Sequence, residues 1–369
     1  MNGKRRRLAT IIAFLLSISA VGWAQVIENP TKPMAANAGR IVTLKEELRI
    51  EDTGEGYFFK NPGSIRVSPR GDIFFKDGPE QALQFDPNGR FVRNLFKKGQ
   101  GPGELSSIGD TWASSDRIYL RGNPPKILIF DYEGNLVQEL PLRGGLLGGR
   151  FILADQMNML LYGMGRPDPS EGAGFRNMPW DINEIAPDGS QKTIGTFPIR
   201  TYIEVEQGGA IRGTSWNQLQ VVALNDKSLF LNSTPEYLIE NFVSDKKEVV
   251  LRFRRPYPRQ KRTGSGGVSA SRGSGPLAPE FWPDIYDLHM VDGQLWVQTW
   301  TVTKEKGILF DVFNTQGRYI DSFHIQSMMK RQDGQPAWIR MTIAGGCAYF
   351  KEETSDGLIV IKKCRLVGL

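Results

Sequence analysis

Short hydrophobic runs that alternate with polar residues recur along this chain. In the clearest example, Leu83 and Phe85 alternate with polar residues, and Phe91 and Val92 follow a turn at 86–89. The turn reads Asp-Pro-Asn-Gly, with proline where φ near −65° is needed and glycine where φ becomes positive. This pattern predicts two antiparallel strands joined by a tight turn.

Similar hairpins recur at a regular spacing. Gly89 and Gly134 end equivalent turns 45 residues apart, and later units end in turns at Gly189 and Gly317. A period of about 45 residues is typical of a four-stranded propeller blade. Glycine supplies 41 of the 369 residues and proline 22, which favours many short strands joined by turns. The spacing therefore predicts a repeat of four-stranded units.

The unit count predicts an all-β, six-bladed β-propeller over residues 40–369. Five units are complete, and the sixth reaches Leu369 without an outer strand. An isolated strand at Ile41–Ile50 can complete that last blade and close the ring without an unpaired edge. Two longer spacings contain polar inserts rich in Gly and Pro, at 163–181 and 252–281, which we expect to be loops on one face.

A glycine-rich string after the first hairpin carries a family resemblance. Lys98-Gly99-Gln100-Gly101-Pro102-Gly103-Glu104-Leu105, preceded by a Phe-Asp-x-x-Gly turn, resembles the bacterial secreted six-bladed β-propeller family, which is similar to NHL-repeat propellers. The resemblance covers about 40–369 and implies a six-bladed ring, export and a binding or unassigned role. It implies no catalytic residues. The string is not typical of a phosphate loop, because its lysines precede the glycines and no helix follows.

The N-terminus predicts export. Four basic residues at 4–7 precede the 14-residue apolar run Leu8–Val21 and a small-x-small cleavage site. That run is shorter than the ~20 residues of a membrane-spanning helix, so residues 1–24 are interpreted as a signal peptide. The polar segment 25–39 is expected to be disordered. The mature protein is therefore expected in the periplasm or outside the cell.

The net charge of +6 comes from two local segments. Four positive charges belong to the signal, and seven more lie between Arg252 and Arg272 with no acid among them, so the remainder is net acidic. Nucleic-acid binding therefore receives little support. The insert 252–281 is expected to be flexible. It is either a solvated loop without function or a basic handle for an anionic envelope surface.

Aromatic and basic residues at predicted strand ends form the candidate ligand site. Such side chains on one rim suit a protein, peptide, carbohydrate or anionic partner, although packing between blades is an equal alternative. These residues are Arg121, Trp180, Arg212, Trp216, Trp282, Trp300 and Arg340.

Oxygen-bearing side chains near the tops of inner strands form the alternative, a calcium site. Calcium prefers oxygen ligands, and calcium-dependent lactonase propellers use carboxylates and amides in this position. The candidates are Asn61, Asp110, Asn217, Asp284 and Asp287. Polar residues also line water-filled channels without binding metal. The two histidines, His289 and His324, are predicted on different strands and do not make a zinc site. The main hypothesis is thus a non-catalytic binding propeller without a cofactor, and the alternative is a calcium-dependent hydrolase or lactonase.

The two cysteines lie on opposite sides of the last predicted hairpin. A turn at 354–357 makes Cys347 and Cys364 directly opposed partners, within disulfide reach. An oxidising compartment would then form the bond. The alternative is two buried thiols on adjacent strands, because a one-residue change of register sends the side chains to opposite faces.

Overall fold

The computed structural model describes residues 25–52, 54, 56–143, 147–155, 158–165, 174–205, 211–215, 217–262, 279–326 and 339–369. The described chain is all-β, with 26 strands in five sheets. No helix in these ranges is long and apolar enough to cross a membrane. The signal-peptide prediction at 1–24 lies outside them.

The first two sheets are four-stranded antiparallel meanders. Sheet one contains β3 (Arg66–Val67), β4 (Ile73–Asp77), β5 (Gln81–Phe85) and β6 (Phe91–Asn94). Sheet two contains β7 (Ser107–Ala113), β8 (Ile118–Asn123), β9 (Lys126–Phe130) and β10 (Leu136–Pro141). In both, the middle strands are buried and the last strand is more exposed.

The next two sheets have five strands each. Sheet three contains β11 (Leu147–Ala154), β12 (Met159–Met164), β13 (Gly174–Ile185), β14 (Gln191–Val205) and β15 (Ile211–Ser215). Sheet four contains β16 (Gln220–Ala223), β17 (Ser228–Asn232), β18 (Ile239–Val243), β19 (Glu248–Arg254) and β1 (Val26–Glu28).

The fifth sheet has eight strands joined through the N-terminal strand. Its first part contains β20 (Ile285–Val291), β21 (Gln294–Thr303), β22 (Gly307–Phe313) and β23 (Tyr319–Ile325). Its second part contains β24 (Met341–Ala344), β25 (Cys347–Glu353), β26 (Ile359–Val367) and β2 (Arg40–Glu51). Strand β2 pairs antiparallel with β26 over 43–51, as predicted, and its first three residues also pair in parallel with β23.

The strand groups form a closed, propeller-like ring. Strands β3, β7, β11, β16, β20 and β24 each contact the next, and β24 contacts β3. Hydrophobic clusters fill the spaces between neighbouring groups. One cluster packs Tyr349 and Ile361 from the end of the chain against Phe75 and Phe85 of sheet one, so apolar packing closes the ring.

The glycine-rich string is a crossover between sheets one and two. Glu104 folds back so that its Oε2 accepts the Gly101 N–H at 3.2 Å, and Glu139 accepts the Gly103 N–H at 2.7 Å. A Cβ on Gly99 would lie 1.9 Å from Glu104 Oε2, so only glycine fits there. The amides that a phosphate would need are already bonded to carboxylates.

The segment 25–39 differs from the disorder expected for it. Val26–Glu28 forms β1, which pairs in parallel with β19. Asn29 is buried, where its Nδ2 donates to Gly317 O at 2.9 Å and its Oδ1 accepts the Tyr319 N–H at 2.9 Å. Composition suggested disorder because these partners lie nearly 300 residues away in sequence.

The insert 163–181 is also more regular than the predicted loop. Residues from Gly174 onward belong to β13, which pairs with β14 from Gly174↔Ile203 to Ile185↔Gln191. The backbone groups of this polar segment are therefore satisfied by a long hairpin rather than by water. Residues 166–173 lie outside the described ranges.

The predicted disulfide is wrong because the last hairpin has a longer turn. The Thr354 N–H donates to Leu358 O, and Gly357 has φ of 81°, so three residues rather than two form the loop. This turn shifts the register by one, which pairs Ala348 with Cys364 and Cys347 with Arg365. The two thiols are free, buried and on opposite faces of the sheet, in different hydrophobic clusters.

Candidate functional site

The ring of first strands surrounds a cavity of about 710 Å³. Each of these strands contributes lining residues, for example Arg66 of β3, Asp110 of β7 and Asp287 of β20. Concave sites of about 300–1,000 Å³ are typical of small-molecule binding. This axial cavity is the candidate functional site.

One end of each first strand lies at the same end of the cavity. Asp287 and Arg340, near the starts of β20 and β24, lie 4.0 Å apart between Oδ2 and Nε. Lys351 of β25 lies opposite Arg340. Its Nζ donates to Oδ1 of Asn61, which precedes β3, at 3.1 Å. Asp110 Oδ2 accepts the Phe151 N–H of β11 at 2.8 Å. These contacts join β20 to the start of β24, β25 to the segment before β3, and β7 to β11.

Polar side chains lie toward that shared end, and apolar side chains follow them along the strands. The polar lining residues that come before the apolar ones along the chain, on the first strands or next to them, include Asp110, Arg150, Gln218, Gln220, Asp287 and Arg340. Apolar lining residues farther along the same strands include Val67, Ala113, Ile152, Val222, Met290 and Ala344. The cavity is therefore amphipathic, with a polar end and an apolar end.

The charged lining residues are mainly basic. Two lining acids, Asp110 and Asp287, face five lining cations. The cations are Arg66, Lys76, Arg150, Arg340 and Lys351. Among the residues that the structure describes, Arg340 has an ion pair with Asp287, whereas Arg66, Lys76 and Arg150 have none. The polar end thus carries a net positive charge.

Arg66 is held in position by an aromatic ring. Its guanidinium lies 4.7 Å from the ring centre of Trp112, which also lines the cavity. Its buried Nε has no hydrogen-bond partner in the described part of the chain. A buried donor without a partner costs free energy, so this group is available to an incoming acceptor.

Arg121 lies behind the cavity wall rather than in it. A Cβ on Gly109 would lie 2.5 Å from Arg121 Nη2, so glycine is needed for the guanidinium to fit there. Burial lowers the pKa of Arg121, and the charge of Asp110 opposes that shift. Arg121 therefore offsets the charge of Asp110 from the side of the wall that faces away from the cavity.

Tyr162 of β12 also lines the cavity, and no pattern in the sequence pointed to it. Burial raises the pKa of its hydroxyl, the nearby charge of Arg150 opposes that rise, and Asp110 and Asp287 add to it. The hydroxyl is therefore neutral at physiological pH and can donate or accept a hydrogen bond. Only the fold places this second-strand residue near charges from three other strands.

The structure brings together part of the predicted aromatic rim. Trp282 and Trp300 stack with ring centres 4.4 Å apart and an interplanar angle of 4°. Arg262 lies 3.8 Å over the Trp282 ring, and Tyr286 contacts Trp300 edge-on at 4.9 Å. Burial raises the pKa of Tyr286, and the charges of Arg340 and Asp287 also act on it, so this stack lies near these two lining residues.

The remaining predicted rim residues have separate positions. Arg340 lines the cavity. Trp180 packs near Tyr162, with ring centres 6.1 Å apart, in the core between sheets three and four. Arg212 lies in β15 with its side chain outside what the structure describes, and Trp216 also lies outside the described residues.

The predicted calcium ligands do not all meet. Asp110 and Asp287 line the cavity, whereas Asn61 lies at the surface and accepts from Lys351. The Asn217 amide donates to Ser233 O at 3.0 Å. Asp284 is buried, where it accepts from Arg259 Nε at 3.1 Å and from the Tyr237 N–H at 2.9 Å. In the described ranges, no group of three or more His, Cys, Asp or Glu side chains could hold a metal ion.

The two histidines lie on different strands, as predicted. His289 of β20 lines the cavity, and its Nε2 lies 3.4 Å from Gln298 Oε1. His324 of β23 is buried, and burial lowers its pKa.

The basic segment starting at Arg252 is largely paired with acids, which corrects the expectation of a flexible basic insert throughout 252–281. Residues up to Arg254 belong to β19. The acids that neutralise the segment lie elsewhere in the sequence, so a count of the charges within the segment does not include them. The ion pairs are Arg252–Glu240, Arg254–Glu28, Arg255–Asp311, Arg259–Asp284 and Lys261–Glu280. Arg272 and the rest of 263–278 lie outside the described residues.

A solved structure resembles this chain in fold. A Bacteroides fragilis protein described as exported matches with a TM-score of 0.55 and 11% identity, over 93% of this chain and 99% of that one. BamB from Moraxella catarrhalis matches with a TM-score of 0.39 and 10% identity, over 90% of this chain and 96% of that one. No protein-family model matches the sequence, and no curated protein matches it. At 11% identity, the first likeness shows a shared fold alone.

Proposed function

We propose that this protein is an exported six-bladed β-propeller that binds a ligand at the polar end of its axial cavity and is not an enzyme. Six strands ring the cavity. The eight-stranded sheet can be counted as two blades, β20–β23 and β24–β26 with β2, because only three residues of β2 pair across to β23. The sequence at 1–24 supports export, and the name of the Bacteroides fragilis neighbour agrees with it.

The single observation that carries the binding role is the axial cavity itself. Its volume suits a small molecule, and its polar end adjoins the Trp282–Trp300 stack and Arg340. Aromatic and arginine side chains are enriched where proteins recognise ligands.

Blocking the cavity tests this function. We expect native mass spectrometry of the protein recovered from the envelope to show a bound small molecule that is absent from Val222→Trp, which fills the cavity. Ala113→Leu is a milder obstruction and should lower the occupancy. Val250→Trp, on the exposed strand β19, is the matched control and should keep the molecule.

Two results would contradict the proposal. One is a wild-type protein that carries no bound molecule. The other is a folded Val222→Trp or Ala113→Leu variant, judged by circular dichroism, that carries the molecule at wild-type occupancy.

A further inference from the structure

We propose that the ligand of the axial cavity is an amphipathic anion: an acidic group bound at the polar end, with an apolar body along the opposite end. This inference rests on the proposed binding function and adds the chemical class of the ligand. It is drawn from the distribution of charge and apolar surface around the cavity.

The cavity lining has an excess of positive charge. Asp110 accepts the Phe151 N–H and has the Arg121 guanidinium nearby, and Asp287 pairs with Arg340. Both acids are therefore already compensated. Arg66, Lys76 and Arg150 have no ion pair among the described residues, so a carboxylate entering here meets cations rather than competing acids.

The cavity lining also carries hydrogen-bond donors that suit an anion. The partnerless Nε of Arg66 is fixed by the stacking of its guanidinium on Trp112. Lys76 and Lys351 flank β3 and β24 at the same end of the cavity. Hydrogen bonds from charged donors to an anion are about twice as strong as neutral ones. A fixed donor also loses little entropy when it binds.

Part of the cavity lining is apolar. Val67, Val222 and Met290 line the cavity beyond polar residues of the same strands, which are Arg66, Gln220 and Asp287. An inorganic anion would leave this surface wetted, whereas an alkyl or aryl body would remove it from water at a gain of about 25 cal/mol per Å². The ligand therefore needs both parts.

Matched eight-carbon compounds separate the two contributions. Isothermal titration calorimetry of the mature protein with octanoate, below its micelle concentration, should give a dissociation constant at least about tenfold lower than octanol gives. Octylammonium should bind more weakly than octanol, because its charge repels the cations. Acetate, which keeps the carboxylate and lacks the apolar body, should bind at least about tenfold more weakly than octanoate.

Charge-removing variants locate the acidic group. Arg66→Gln combined with Arg150→Gln should weaken octanoate binding by about tenfold or more and leave octanol binding unchanged. Arg340→Gln should also weaken octanoate binding, because it removes a positive charge and leaves Asp287 as an uncompensated acid. Lys192→Gln is the control, since Lys192 is an exposed lysine of β14 whose partner is Glu184. It should leave octanoate binding unchanged.

The outcomes distinguish this inference from the proposed function. The anion proposal is overturned if octanol binds as tightly as octanoate, if none of the octyl compounds binds, or if the double variant binds octanoate like the wild type. In each case the mass-spectrometry result with Val222→Trp still decides separately whether the cavity is a binding site.

Discussion

Arg255 and Asp311 form a buried ion pair between sheet four and the eight-stranded sheet. Arg255 Nε donates to Asp311 Oδ2 at 2.8 Å, and the two side chains are 5% and 0% exposed. Two tyrosine hydroxyls complete the site, Tyr237 donating to Oδ2 at 2.7 Å and Tyr319 to Oδ1 at 2.6 Å. All the polar atoms of this carboxylate are therefore satisfied inside the core.

Removing the charge of Asp311 should destabilise the fold strongly. Asp311→Asn leaves the Arg255 guanidinium buried without a counter-charge, so we expect the free energy of unfolding to fall by about 3–5 kcal/mol. Urea denaturation followed by fluorescence measures it. Asp321→Asn is the control, because Asp321 pairs with Arg40 at 2.9 Å nearer the surface and should cost about 1 kcal/mol or less. Equal losses in the two variants would argue against the network.

The buried tyrosines predict instability in alkali. Burial raises the pKa of Tyr257 to about 12, from an ordinary value of 10.0. The same cause raises the pKa of Tyr119 and Tyr349 to about 12. A raised pKa in the folded state means that the unfolded chain releases these protons first. Stability is therefore complete below about pH 10 and is lost as the pH rises from 10 toward 12.

Denaturant titrations at pH 8, 10 and 11 test this expectation. The free energy of unfolding should change little up to pH 10 and fall above it. Tyr257→Phe should show a smaller fall, because lysine titration is common to both proteins and only the tyrosine differs. If the free energy of unfolding of Tyr257→Phe falls as much as that of the wild type, the Tyr257 hydroxyl does not cause the alkaline instability.

The cysteines should remain reduced in the mature protein. Cys347 and Cys364 face opposite sides of the sheet, and burial raises the pKa of the Cys364 thiol to about 11. Thiol titration of the unreduced, denatured protein should count two free thiols per chain. The native protein should react slowly, because the thiolate is the reactive form. A count of zero would mean that the register of the last hairpin is the one predicted from sequence.

Lys247 occupies a turn position that elsewhere holds glycine. Its φ is 54° and its N–H donates to Ser244 O, as the Gly89 N–H does to Asp86 O. Left-handed backbone costs a non-glycine residue roughly 1–2 kcal/mol, and the unfolded-state entropy of glycine offsets part of this. Lys247→Gly should therefore raise the free energy of unfolding by about 0.5–1 kcal/mol in urea titrations. Lys246→Gly is the control and should lower it, since Lys246 does not have a positive φ.

The N-terminal strand should be needed for stability. Deleting 25–50 removes almost all of β2. This would leave β26 with an unpaired edge and would remove the strand that joins β23 to β26. We expect a much lower melting temperature than that of the mature chain. Deleting only 25–39 removes β1 and Asn29 and should cost less. If the protein without residues 25–50 melts at the same temperature as the mature protein, β2 is not needed to close the ring.

The strand pattern and the turns could be predicted from the sequence because they depend on local preferences. The alternation at Leu83 and Phe85 and the glycine of the Asp86–Gly89 turn specify their hairpin without help from distant residues. The pairing of β2 with β26 followed from counting strands, since a ring closes when no edge remains unpaired.

The features that only the tertiary structure decided depend on partners that are distant in sequence or on a one-residue change in strand register. One extra loop residue at Gly357 separated Cys347 from Cys364, because side chains alternate between faces. The acids opposite Arg252–Lys261 come from other strands, so local sequence showed a basic segment where the fold has ion pairs. The cavity charge has the same origin: Arg66, Arg150 and Arg340 lie far apart in sequence, and only the ring of first strands brings them together.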